Sequence, residues 1–388
     1  MQTSRESTAG TTTRPYEGVV VLDLTHTYGL YAGKLFADLG ATVIRVEPPS
    51  GMPDRQRGGA NDPRFAFLNS GKKSVVLDFD SDAGRPALDA LLRSAGIVLA
   101  ERGGPLAGDT AAIHAVNPAA IVTVVSPYGM TGPLADAPAS DLVLQAAGGI
   151  AWMSGRIERE PLALPFEQAT MVGSVYAATV SAIAFHHAEA TGTGHLIDVS
   201  VQECIAHSLQ NALQVYDLEG RVSIRGGEGT RDATEDIFPC RDGFVFLASP
   251  LSLGTSWKQL VAWMRELGDE AGDYFSAERW LDREWRLTRE AREDFRENFT
   301  KFTMKFDKQT LAREAIARRI VMAPVARIGD VLGDPQLEHR GFFTSVETAD
   351  GRRLPFPGAP YKLSAPVWGT ERAPELGADQ KILKELGR

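Results

Sequence analysis

Short apolar runs and helical stretches alternate along the first half of this chain. "GVVVLDLT" at 18–25 is a valine-rich run of strand length. In "GLYAGKLFADLGA" at 29–41, Leu30, Gly33, Phe36 and Ala37 share one helical face, and Gly40 closes the helix. "TVIRVE" at 42–47 is again strand-like, so the three pieces predict a βαβ unit with buried parallel strands. The pattern repeats in "KSVVLDF" at 73–79, the helical "DAGRPALDALLRSA" at 82–95, "GIVLAE" at 96–101 and "AAIVTVVSPYG" at 119–129. Positions 171–190 predict a long, nearly all-apolar helix, which should be buried. "LIDVSVQECIAHSLQNAL" at 196–213 adds a strand and a helix. This alternation predicts an α/β fold with a Rossmann-like parallel sheet covered on both faces.

The character changes after the glycine-rich break "RGGEGT" at 225–230. "DGFVFLAS" at 242–249 predicts a strand, and 257–319 is helical, charge-rich and anchored by aromatic residues. A smaller α+β domain is expected there. From 321 the chain is rich in strand, loop and proline, and it ends in the helical "DQKILKELG". The expected organisation is a flexible tail over 1–15, a large domain over 16–224, a small domain over 225–330 and a C-terminal segment over 331–388.

Composition narrows the functional classes. The 388 residues exceed one simple core, and 43% hydrophobic with 23% charged residues is ordinary for a globular protein. A net charge of −9 argues against a nucleic-acid binder, which would carry a basic face. Cys204 and Cys240 are far apart and form no CxxC motif, which fits a reducing cytoplasm. The polar start "MQTSRESTAGTTTRPYEG" has no apolar core of a secretory signal, and no apolar run reaches the ~18 residues of a membrane span. With no HExxH and no histidine–cysteine pair at zinc spacing, no metal is expected.

Candidate chemistry lies in the turns after the strands. "DLTHTYGLYAG" occupies the first such turn, where α/β proteins bind ligands and helix N-termini favour anions. It has neither GxGxxG nor a Walker motif, so Gly29 and Gly33 read equally as phosphate cradle or helix packing. His26, alone in that turn, reads first as a hydrogen-bonded structural residue. "NSGKKS" at 69–74, with Arg45 and Arg55, offers cations for a polyphosphate or simply a solvated basic loop. "SPYGMTGP" at 126–133 is not the GxSxG elbow of hydrolases.

Taken in order, seven blocks carry a resemblance. They are "VLDLTHTYGLYAGKLFADLGATVIRVEPP", "FLNSGKKSVVLDF", "SPYGMTGP" with "DLVLQAAGGI", "ATGTGHLIDVSVQE", "FPCRDGFVFLAS", "MAPVARIGDVLGDPQLEHRGFF" and "APELGADQKILKEL". Together, from Tyr16 onward, they resemble the family III (CaiB/BaiF-type) coenzyme A transferases. The resemblance implies a Rossmann-like large domain, a small domain, a C-terminal segment that returns to the large domain, and two interlocked chains. It implies no permanent cofactor, with coenzyme A and acyl-CoA as substrates. By motif position, His26, Thr27, Tyr28, Gly29, Arg45, Asn69, Lys72 and Lys73 would line the CoA path. Gly226, Gly227 and Gly229 would form a loop over the site. The implied chemistry is covalent: an aspartate attacks an acyl-CoA thioester, and CoA returns through a mixed anhydride and an enzyme-bound thioester.

The chain departs from that pattern at its centre. The reactive aspartate should precede Gly173, at Ala169 or Thr170 depending on the anchor, and neither is a carboxylate. Glu167 is near, but it is displaced and a methylene longer, and its simplest reading is an acid stabilising a helix N-terminus. Gly29, Leu30 and Tyr31 replace a small-small-proline turn, and Tyr28 and Tyr31 would crowd the acyl pocket. Glu101 stands near a usual asparagine and would repel CoA phosphates. Ser140 replaces the racemase histidine. Three readings follow. The first is the aspartate-lacking subunit of a heteromer with an Asp-bearing paralogue, moving CoA from a donor such as succinyl-CoA to a carboxylic acid such as an aryl-substituted succinate. The others are a homodimer that uses Glu167 and a non-catalytic CoA binder. No nucleic-acid or membrane partner is expected.

Overall fold

The computed structural model describes residues 14–57, 59–79, 81, 84–104, 106, 110–225, 231–365 and 367–386. They fall into two compact units. The first contains residues up to Ala151, then Ala163–Leu213, then the chain from Pro335 on; the second contains Trp152–Leu162 and Gln214–Asp334.

The first unit is built on six strands: β1 (Val20–Asp23), β2 (Thr42–Glu47), β3 (Lys73–Val76), β4 (Ile97–Glu101), β5 (Ile121–Ser126) and β6 (His195–Ser200). They lie in the order β3-β2-β1-β4-β5-β6, and every pair is parallel. Strand order reverses between β1 and β4, which places the ligand crevice of this fold at their carboxyl ends. Its helices include α1 (Leu30–Asp38), α2 (Pro63–Leu68), α3 (Gly84–Ser94), α4 (Thr110–Val116), α5 (Asp141–Ala147), α6 (Ile150–Met153), α7 (Gln168–Thr191) and α8 (Val201–Ser208). Strand periodicity divides the core in two. Val21, Val43, Ile97 and Ile121 pack with Phe36 of α1 and the alanines of α7, whereas Leu22, Ile44, Val98 and Val122 pack with Leu88 and Leu91 of α3.

Helix α7 corrects two expectations. Its 24 residues have a mean hydropathy of 1.3 over an 18-residue window, long and apolar enough to cross a membrane by length and composition. Scattered Ser, Thr, Tyr and His residues interrupt any continuous apolar run, although the helix as a whole is apolar. Nor is the helix buried throughout. Ala169, Gly173, Ala177, Ala178 and Ser181 are buried, while Val175 and Ile183 are exposed.

The second unit has an antiparallel sheet of β7 (Asp236–Cys240), β8 (Gly243–Leu247) and β9 (Met322–Pro324). Its core is aromatic, with Trp257, Trp263, Trp280, Phe275, Phe295, Phe299 and Phe302 all buried. The buried Arg286 lies 4.3 Å from the Trp257 ring centroid and donates to Asp232 at 2.7 Å. The unit begins before the glycine-rich break because it also holds an earlier stretch. Trp152 Nε1 donates to Ser223 O at 3.1 Å, and Arg225 reaches the carbonyls of Arg156 and Arg159. Sequence adjacency cannot reveal such a discontinuous unit.

The C-terminal segment joins the first unit. After the hairpin β10 (Phe343–Glu347) and β11 (Arg353–Pro357), it runs along β3. Ser74 N–H donates to Asp379 Oδ2 at 2.9 Å, and Gln380 exchanges two hydrogen bonds with Val76. Side chains thus occupy the free edge of β3 and deny it to another strand.

Candidate active site

A buried charge network joins the carboxyl ends of β1 and β2 to the segment that enters β3. Asp23, the last residue of β1, accepts from Thr25 N–H and its hydroxyl through Oδ1, and meets Lys72 Nζ at 2.7 Å through Oδ2. Lys72 also donates to Leu30 O at 2.9 Å and Asn69 Oδ1 at 3.0 Å. Asn69 accepts from Arg45 through the same oxygen and donates to Asp54 at 3.1 Å. Arg45 pairs with Asp54 and with Glu47, and Glu47 is held by Arg55 at 2.6 Å and by the Ser74 hydroxyl at 2.7 Å. Lys72, Arg45 and Arg55 balance Asp23, Glu47 and Asp54 in charge.

Burial decides how these groups titrate. Desolvation pushes the Lys72 ammonium down, with Asp23 acting against it. Desolvation also opposes the Glu47 carboxylate, but Arg55, Arg45 and Ser74 outweigh it and bring the carboxyl to about 2. The glycines of the first turn serve packing. A Cβ on Gly33 would meet Asp23 Oδ2 at 2.5 Å, and one on Gly29 would meet Thr25 Cγ2 at 2.6 Å.

At the switch point, Glu101 ends β4 fully buried. Its carboxylate accepts Thr27 N–H at 2.8 Å and Gly29 N–H at 2.8 Å. Burial pushes its carboxyl up, against the pull of His26 and the backbone donors. Glu101 thereby has a structural role that its sequence position did not suggest: it holds the backbone of the turn. His26 Nδ1 lies 3.4 Å from Glu101 and 2.9 Å from the Thr27 hydroxyl, and the ring is partly exposed. The Tyr28 hydroxyl donates to Ala139 O at 2.5 Å, and its own carbonyl accepts from Ser174 of α7 at 2.7 Å.

The N-terminus of α7 is the third part. Ala169 is completely buried in the apolar core, and Thr170 is 5% exposed with its hydroxyl turned onto Glu167 O at 2.9 Å. Gly173 is a packing glycine, since a Cβ there would meet Val201 Cγ2 of α8 at 2.8 Å. Glu167 is the N-cap residue, yet its carboxylate caps nothing. It pairs with Arg64 Nε of α2 at 2.6 Å. The expected helix-stabilising role belongs instead to Asp141, whose Oδ1 accepts Thr170 N–H at 2.8 Å and whose Oδ2 accepts from Gln145 at 2.7 Å. Ser140 caps α5 through Val143 N–H at 3.4 Å.

The structure thus brings together His26, Thr27, Tyr28 and Gly29 around Glu101, and locks Arg45, Asn69 and Lys72 beneath them. Lys73 stands apart, 41% exposed and 3.7 Å from Glu371. Gly226, Gly227 and Gly229 lie outside the described residues. Sequence reasoning missed Asp23, Arg64 and Asp141. A signal existed for the helix that carries Arg64: Asp62 caps α2 through Phe65 N–H, and Pro63 opens it. Nothing local marked Asp141, whose partner is 29 residues away.

Comparison with known proteins agrees with this geometry. The sequence pattern of CoA-transferase family III matches residues 16–380. The chain is 34% identical over 383 residues to the BbsE subunit of succinyl-CoA:(R)-benzylsuccinate CoA-transferase from Thauera aromatica, covering 95% of this chain and 93% of that one. It is 27% identical to the succinate–glutarate CoA-transferase of Agrobacterium fabrum over 96% of each chain. A CAIB/BAIF family protein from Brucella suis superimposes with a TM-score of 0.83 at 25% identity, covering 97% of this chain and all of that one. A parallel sheet with its crevice at the β1–β4 switch and a family match over nearly the whole length lead to one conclusion: the chain belongs to CoA-transferase family III, whose substrates are CoA thioesters.

Proposed function

We propose that this chain is the non-nucleophilic subunit of a heteromeric CoA-transferase, paired with a paralogue that carries the reactive aspartate. The pair moves CoA from a donor such as succinyl-CoA to a carboxylic acid of the aryl-substituted succinate class. The observation that carries this reading is Ala169, which fills the expected nucleophile position with a side chain sealed in the apolar core. The BbsE relative, named as a subunit, supports it.

An unpartnered apolar face also supports a second chain. Val175 and Ile183 of α7, Leu196 of the edge strand β6 and Leu142 of α5 are 44–66% exposed. A groove of about 550 Å³ opens between α7 and β6, lined by Val180, Ile183, Ala184 and Leu196. Apolar surface of this kind on one chain marks a protein interface. CoA would cross the turn at His26–Gly29, with Arg45, Asn69 and Lys72 stiffening that turn from below and Lys73 reaching the nucleotide end.

Transfer is expected when the chain is purified with its Asp-bearing paralogue and is lost with either chain alone. Full activity of this chain by itself would overturn the proposal. The competing reading, a Glu167 nucleophile, requires a covalent adduct on Glu167 after acyl-CoA incubation. Its pairing with Arg64 speaks against that, and mass spectrometry is expected to find no adduct.

A further inference from the structure

The Arg64–Glu167 pair has an aromatic neighbour. Arg64 and Phe67 are three residues apart on α2 and share a helical face. Phe67 stacks on Tyr31 of α1 with ring centroids 5.8 Å apart and an interplanar angle of 26°. Tyr31 lies one residue into α1, directly after the turn assigned to CoA. Phe67 also meets Phe356 edge-on at 5.4 Å, and Lys34 Nζ lies 4.9 Å from its ring centroid, so the platform is fixed by its neighbours. Tyr361, 42% exposed, is close enough to Tyr31 for the two hydroxyls to influence each other.

The guanidinium is not locked like that of Arg45. Its side chain is 27% exposed, and its carboxylate partner is 36% exposed. Such an ion pair contributes at most about 1 kcal/mol and exchanges readily with a ligand carboxylate. Glu167 thus shows the geometry in which Arg64 receives a carboxylate. A cation that binds a carboxylate beside a half-buried aromatic pair matches an acid carrying an aryl group.

We propose that Arg64, Phe67 and Tyr31 form a subsite for an aryl-substituted carboxylic acid, in which the ligand carboxylate displaces Glu167 from Arg64. This rests on the aryl-succinate reading above for its ligand class. Binding is non-covalent, so the site needs no nucleophile. It selects the acid by its ring, which packs against the partly buried Phe67 and Tyr31.

Calorimetry on the full-length chain with benzylsuccinate and with succinate tests this, with thermal unfolding as a check on each variant. Benzylsuccinate is expected to bind about 3- to 10-fold more tightly than succinate. Arg64→Met should weaken both acids by about 10- to 100-fold. Phe67→Leu, which retains apolar volume, should narrow the gap between the acids while leaving succinate unchanged. Glu167→Gln should tighten both, because the internal competitor loses its charge. Equal affinity for the two acids, no binding of either, no effect of Arg64→Met, or weaker binding in Glu167→Gln each overturns the subsite. Activity of the chain with its paralogue is a separate readout, so failure of the subsite and failure of the heteromer reading are distinguishable.

Discussion

Two arginines of the first unit, Arg45 and Arg64, both hold carboxylates, and the difference between them divides the site. Arg45 is fully buried, faces Asp54 and Glu47, and shares Asn69 with Lys72. Arg64 meets one carboxylate at the surface. The first arrangement is framework, because a buried charge that loses its partner has no water to turn to. The second is adaptable, because solvent or a ligand can replace either partner at little cost. The network at the ends of β1 and β2 therefore holds the turn still, and the α7 end of the crevice stays free to respond.

Replacing each arginine gives the largest contrast. Arg45→Met leaves the buried Asp54 without its cation and Glu47 with Arg55 alone, and is expected to destabilise by about 3–5 kcal/mol. Arg64→Met should change stability by no more than about 1 kcal/mol. Urea unfolding of the two variants checks this, and similar losses would erase the distinction.

Acid provides the next test. Because the Glu47 carboxyl lies near 2 in the folded chain against 4.5 ordinarily, its contribution is complete above about pH 4.5 and is lost as pH falls toward 2. The shift corresponds to about 3 kcal/mol. Glu47→Gln should remove this part of the acid dependence, measured as stability at pH 5 relative to pH 3.

The smallest effect concerns the end of α7. Asp141→Ala unties the Thr170 N–H and should cost about 1 kcal/mol, with faster amide exchange in the first turn of α7. Unchanged exchange there would mean that Asp141 does not hold the helix start.

Much of the framework was legible. The βαβ pattern gave β2 its observed bounds, and the apolar runs gave the strands on either side of the switch point. The family resemblance names residues 26–29 as part of the CoA path, and that turn lies directly between β1 and α1. Three things were not legible. Glu101 read as a hostile charge because its partners, Thr27 and Gly29, lie more than 70 residues away. Glu167 reads as an acid stabilising the helix N-terminus; it does stand at the start of α7, but its carboxylate pairs with Arg64, 103 residues away in the chain. The second unit read as contiguous, although it takes in Trp152–Leu162.

The sequence by itself determined the order of strands and helices and the absence of a carboxylate at Ala169 and Thr170. Those are properties of residue type and local period, which need no partner to be expressed. Only the tertiary structure decided which charges are spent and which are free. Burial and pairing depend on groups distant in the chain, and the same guanidinium is framework at Arg45 and an exchangeable contact at Arg64. The blank at Ala169 is likewise a fact of sequence, but its being sealed in the core, with Asp141 anchoring the helix beside it, is a fact of packing.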